Sequence, residues 1–264
     1  MQPVEVTRGD GPVLLGLPHT GTYLPQDIRT RLNARGLGLS DTDWNIHKLY
    51  DGLLPGATTV RATFHRYVID ANRDPSGESL YPGQNTTGLV PLTDFDGEPI
   101  WTEPPSGGEV EHRRATWHEP YHEALQAELD RVRGIHGVAV LYDCHSIRSR
   151  IPFLFDGVLP DFNIGTNGGE TCHPAIKRAV VESCEAATGY STVVNGRFKG
   201  GWTTRHYGQP DSGVHAIQME LAQSTYMEEA PPWPYLHERA EAIRPHLSDI
   251  LHRIERLALQ GALT

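Results

Sequence analysis

The residues best suited to chemistry in this 264-residue chain are two histidines that follow apolar runs. Val13-Leu14-Leu15-Gly16-Leu17 leads into Pro18-His19-Thr20-Gly21, and Val138-Ala139-Val140-Leu141-Tyr142 leads into Asp143-Cys144-His145-Ser146. One histidine alone reads as a capping or core group. Two at strand exits read as part of a metal site, because neutral imidazole is a frequent ligand for divalent transition metals. Asp41 or Asp43, just before the amphipathic segment from Trp44 to Tyr50, would add a carboxylate. Two histidines and one acid with a position left for water form a common catalytic zinc set. Zinc there would polarise a carbonyl and lower the pKa of the attacking water. Manganese or cobalt would suit the same ligands.

A hydrolase of this kind also needs a base outside the ligand set. Glu220 lies in the apolar run Ile217-Gln218-Met219-Glu220-Leu221-Ala222, where burial would raise its pKa toward the range useful for proton transfer. The competing reading is a strand-edge glutamate that faces solvent or pairs with an arginine. Arg73 in Asp70-Ala71-Asn72-Arg73, Arg148 close behind His145, and Arg205 in the Gly200 to Gly208 stretch could grip carboxylates through paired hydrogen bonds. The ordinary alternative for each is a surface ion pair. No Gly-x-Ser-x-Gly elbow, phosphate-binding loop or dinucleotide fingerprint is present. Gly165-Thr166-Asn167-Gly168-Gly169 lacks the lysine of a phosphate loop and reads as a plain loop.

These side chains need elements to hold them. The two apolar runs read as strands buried on both faces in the middle of an α/β sheet, whose ligand crevice lies beyond the carboxyl ends of its strands. Thr58 to Phe64, Tyr67 to Asp70 and His215 to Leu221 also read as strands. Helical spacing links Tyr121, Leu125, Leu129 and Val132, with Gly134 as the expected stop. A second helix should start at Pro174 and run toward Gly189. A third spans Leu236 to Leu257, and Pro245 is expected to kink or split it. Asn72 to Ser106 has little periodicity and reads as a long functional excursion. With no repeat, low-complexity tract or linker, residues 1–264 are expected to form one domain.

Bulk properties narrow the function. The net charge of -10, without a basic run, argues against nucleic acid as a partner. An anionic small substrate would require arginines gathered locally. No stretch approaches the length of an apolar membrane span, and the N-terminal residues do not read as a secretory signal. The three cysteines, Cys144, Cys172 and Cys184, are odd in number and widely spaced, so a reducing cytoplasm is expected.

Six segments in order carry a family resemblance: Pro18-His19-Thr20-Gly21, Asp41-Thr42-Asp43-Trp44, Asp70-Ala71-Asn72-Arg73, Asp143-Cys144-His145-Ser146, Phe198-Lys199-Gly200-Gly201 with Thr204-Arg205, and Gln218-Met219-Glu220. Through them the chain resembles the N-formylglutamate amidohydrolases, the deformylases that end one bacterial route of histidine degradation. The resemblance implies a fold similar to zinc carboxypeptidases, a central mixed sheet with helices on both faces. It implies His19, Asp43 and His145 as zinc ligands, Glu220 as general base, and an Asn72-Arg73 pair on a substrate carboxylate. Arg148 and Arg205 would hold the remaining carboxylate. The carboxypeptidase motif His-x-x-Glu is broken here by Thr22, so the acidic ligand must come from another segment. The implied reaction is hydrolysis of N-formyl-L-glutamate to formate and glutamate. A deacylase for another N-acyl amino acid, a small peptidase, and a binding protein that keeps the site without turnover are the alternative readings.

Overall fold

The apolar runs become the centre of a seven-stranded mixed sheet in the computed structural model, which describes residues 1–80 and 83–263. The strands are β1 (Val4–Thr7), β2 (Val13–Leu17), β3 (Thr58–Ala62), β4 (Ala139–Ile147), β5 (Phe162–Gly165), β6 (Thr192–Val194) and β7 (Val214–Ala222). Their order is β1-β3-β2-β4-β7-β5-β6. The central strands β3, β2, β4 and β7 run parallel, and β1 and β5 join antiparallel to β3 and β7. Every residue of β2, β4 and β7 is buried, as expected for parallel strands covered on both faces.

The helices are α1 (Gln26–Arg29), α2 (Ala34–Leu37), α3 (Ile46–Tyr50), α4 (Gly107–Arg113), α5 (Glu119–His136), α6 (Pro174–Ala186), α7 (Trp202–Tyr207) and α8 (His237–Leu259). Strand alternation sorts the core into two layers. Val13, Leu15, Val140, Tyr142, Ile217 and Met219 pack with the apolar sides of α3, α6 and α8. Leu14, Ala139, Leu141, Val214 and Ala216 pack on the opposite face with Tyr121, Leu125, Leu129 and Val132 of α5. On that second face the inward positions turn polar toward the strand ends, to Asp143 and His145 on β4 and Gln218 and Glu220 on β7. The register pairs Asp143 with Gln218 and His145 with Glu220. Toward the strand ends this face therefore changes from apolar core to polar side chains.

Several elements differ from the sequence expectation for identifiable reasons. β4 continues through His145 to Ile147 because β7 is equally long and pairs with it residue by residue. Tyr67 to Asp70 is apolar enough for a strand but forms a buried turn. Gly137, with a φ of 75°, caps α5, while Gly134 stays helical. Pro245 lies inside α8 without dividing it. The carbonyl that loses its donor there belongs to exposed Glu241, where water can replace the missing bond. No helix among the described residues is long and apolar enough to cross a membrane.

Candidate active site

His19 is presented two residues after β2 ends, and its carbonyl accepts from the Asp43 backbone N–H at 3.1 Å. That bond ties the segment ahead of α3 to the strand exit. Gly21 lets the turn settle against β3's continuation, since a Cβ there would lie 2.4 Å from the Thr63 backbone. Asp43 is held from the other side by the Ser146 N–H, which donates to Oδ2 at 2.9 Å. Its two carboxylate oxygens face the two imidazoles, 3.9 Å from His19 Nδ1 and 3.3 Å from His145 Nδ1.

The far nitrogens meet a second layer of acids. His19 Nε2 lies 2.6 Å from Asp70 Oδ1, and His145 Nε2 lies 3.1 Å from Asp143 Oδ1. Asp70 accepts only, so Nε2 of His19 carries the proton and Nδ1 offers its lone pair toward Asp43. Thr204 donates to Asp143 at 2.8 Å, and Arg66 and the Asn72 N–H donate to Asp70. Arg66 beside Asp70 overcomes burial and holds that carboxyl well below the usual range. Burial, reinforced by Arg66, lowers His19 below its ordinary value, which suits a neutral ligand. Burial also opposes charge on His145, but Asp143 and Asp43 prevail and raise it.

The donor set fits a divalent transition-metal ion. One ligand atom from each of His19, Asp43 and His145 lies within 4.8 Å of the others, and all three residues are buried. Asp43, Asp70, Asp143 and Glu220 are all buried here, and so is the guanidinium of Arg66. Buried charge calls for a counter-charge, and a cation between the imidazoles would supply one. Asp41, the alternative acid, turns away: its Oδ2 accepts the Phe95 N–H at 3.0 Å.

His19, Asp43 and His145 line one cavity, and Glu220 lines it with them. Gln218 fixes the carboxylate. Its Oε1 accepts from the Gly201 N–H at 2.7 Å, so its Nε2 must face Glu220 Oε2, at 3.0 Å. Burial pushes the Glu220 carboxyl up to about 8 against the pull of His145. Asn72 stands opposite, with its amide nitrogen 3.1 Å from His145 Nε2 and its Oδ1 accepting from the Thr203 N–H at 2.9 Å. Gly201 permits this approach, since a Cβ there would lie 2.3 Å from the Asn72 amide.

Three arginines line the cavity: Arg66, Arg73 and Arg197. Arg66 lies over the Phe95 ring, 4.6 Å from its centroid. Arg73 donates to the carbonyl and hydroxyl of Thr87 at 2.9 and 3.1 Å, which anchors it within the long excursion after Asn72. Arg197 donates to the Leu154 and Asn85 carbonyls at 3.0 and 2.8 Å. Arg148 and Arg205, expected in the site, do not line this cavity. The strand ends at Ile147, and Arg148 donates to Asp96 at 2.9 Å. Arg205 donates to the Gly200 carbonyl at 2.9 Å. The sequence marks neither Arg66 nor Arg197 as lining this cavity. Arg66 precedes the Tyr67 to Asp70 run that reads as a strand, and Arg197 sits in an aperiodic loop, so neither spacing marks a site.

A model of the N-formylglutamate amidohydrolase family matches residues 11–227. The chain is 47% identical to the N-formylglutamate deformylase of Pseudomonas aeruginosa, over 94% of both chains. It is also 47% identical to that of Pseudomonas putida, over 94% of this chain and 93% of the relative. The crystal structure of N-formylglutamate amidohydrolase from Ralstonia eutropha JMP134 superposes with a TM-score of 0.83 at 26% identity, covering 99% of this chain and all of that one.

Proposed function

The chain belongs to the N-formylglutamate amidohydrolase family, and from that premise we propose that it hydrolyses N-formyl-L-glutamate to formate and L-glutamate. The observation that carries this reading is the composition of one cavity, with a two-histidine, one-aspartate ligand set, a buried carboxylate beside it and arginines on its wall. His19, Asp43 and His145 would hold a divalent ion, zinc by donor type. That ion would supply Lewis acidity, polarising the formyl carbonyl and easing deprotonation of water.

The remaining work falls to side chains of this chain. Glu220 takes a proton from the attacking water through the oxygen that Gln218 leaves open, then returns it to the departing amine. Arg66, buried at the ligand cluster, offsets negative charge that develops on the carbonyl oxygen. Arg73 with Asn72 and Arg197 from the facing loop hold the two glutamate carboxylates. Arg197 here takes the role that the sequence had suggested for Arg148 and Arg205. Local guanidinium groups thus reconcile an anionic substrate with an acidic protein.

We place residues 1–264 in one catalytic domain, since both apolar layers share a single sheet. A cytoplasmic setting is supported by three buried, unpaired cysteines. A role in histidine degradation rests on the family resemblance. The test is turnover of N-formyl-L-glutamate beside N-acetyl-L-aspartate and short peptides. A preference of at least about tenfold in kcat/KM for the formyl substrate is expected, and a preference for either competitor would replace this substrate assignment.

A further inference from the structure

The segment 65–73 carries Arg66, Asp70, Asn72 and Arg73 into the site without being a strand. Three of its carbonyls are met by side chains from one helical stretch. Arg113 Nη1 donates to Val68 O at 3.2 Å, His122 Nε2 to Ala71 O at 2.8 Å and His118 Nε2 to Arg73 O at 3.1 Å. A carbonyl accepts only, so Nε2 is protonated in both histidines. Nδ1 of His122 then faces the Tyr207 hydroxyl at 3.0 Å. Burial holds both imidazoles below their ordinary range and keeps them neutral. Trp202, the first residue of α7, packs against both rings, with centroids at 5.9 Å from His118 and 4.8 Å from His122.

A local irregularity brings these donors together. Arg114–His118 is a π-helical turn between α4 and α5. In an unbroken α-helix, residues five apart point about 140° away from each other. A π turn closes i to i+5 hydrogen bonds, so residues five apart come onto nearly the same face. Arg113 and His118 are five apart, and His118 and His122 are one ordinary turn apart. All three therefore address one loop. Within that loop Asp70 and Asn72 send their side chains to the histidine ligands, while the carbonyls of Ala71 and Arg73 face the helix.

Building on the reading of Arg73 and Asn72 as substrate-holding residues, we propose that His118 and His122 are positioning residues, aligned by the π turn, which fix Asn72 and Arg73 by clamping the carbonyls of Ala71 and Arg73. Neither histidine lines the cavity, and both act through the loop.

The test uses His118→Leu and His118→Asn, which remove or withdraw the donor, beside His118→Gln, whose amide reaches close to the original Nε2. The first two should raise KM for N-formyl-L-glutamate about tenfold, with kcat changed less than about threefold, and His118→Gln should restore KM. Hydrogen exchange at residues 71–74 should quicken in the first two variants and return to wild type in the third. Folded His118→Leu or His118→Asn protein with wild-type KM and wild-type exchange would overturn the clamp. So would a glutamine variant as impaired as the asparagine one. Wild-type protein that does not turn over this substrate would sink the functional reading instead, and the exchange comparison would still decide the clamp.

Discussion

Replacing Glu220 with glutamine separates the base from everything else in the cavity. The Gly201 N–H fixes Gln218 Oε1, which leaves Gln218 Nε2 as a donor aimed at residue 220. A glutamine at 220 must answer with its own oxygen, so its NH2 group turns into the cavity. A donor then stands where the reaction needs an acceptor. General-base catalysis contributes about 10²–10⁴-fold, or about 3–5 kcal/mol of barrier. The fixed amide orientation places the expected loss in kcat at the upper end, at least about 10³-fold. KM should change little, because the arginines stay in place. Burial already penalises the charged carboxylate, so thermal stability should not fall. The assay is formate release under saturating substrate, with metal content and melting temperature measured on the same preparation. Activity within about tenfold of wild type would refute the base assignment. Loss of bound metal would make Glu220 a ligand.

The cavity arginines should differ from Arg148, which does not line it. Arg197→Ala should raise KM for N-formyl-L-glutamate by about 10- to 100-fold through loss of a charge-assisted contact, whereas Arg148→Ala should leave it within about threefold. Equal effects from both substitutions would contradict the placement of the second carboxylate. Asp41 offers a test of pH and stability. Burial, opposed by Arg66, pushes its carboxyl from 3.8 up to about 7. The folded state thus keeps a proton that the unfolded chain releases, so the contribution to stability is complete below about pH 4 and is lost as pH rises through about 7. Asp41→Asn keeps the neutral form, and its stability advantage should grow to about 2–4 kcal/mol by about pH 8. Denaturant unfolding at the two pH values would show a constant difference if this is wrong.

Those parts of the site that hang on regular strands were readable from the sequence. β2, β4 and β7 follow the apolar runs around Leu15, Leu141 and Met219, and they bring His19, His145 and Glu220 into one cavity. Asp43 follows because the carboxylate lies beside the start of α3. What was not readable depends on bonds made across long stretches of chain. Tyr67 to Asp70 has strand-like composition, but the Val68, Ala71 and Arg73 carbonyls around it are satisfied by α4, the π turn and α5 rather than by a ladder. Arg148 reads as well placed because it follows His145 in sequence, yet past the strand's end at Ile147 its side chain pairs with Asp96 instead of lining the cavity. Arg197 reaches the wall through the Leu154 and Asn85 carbonyls, contacts that no local pattern encodes. The short strands β1 and β6 were missed because edge strands of three or four residues carry little periodicity.

The proposed mechanism needs a metal ion held by His19, Asp43 and His145 to act together with a base at Glu220 on a formyl amide. The most direct test is formate release from N-formyl-L-glutamate by purified protein after chelation, and again after stoichiometric zinc is returned. Activity should be lost on chelation and recovered with zinc. Release that persists after the metal is removed would contradict this mechanism.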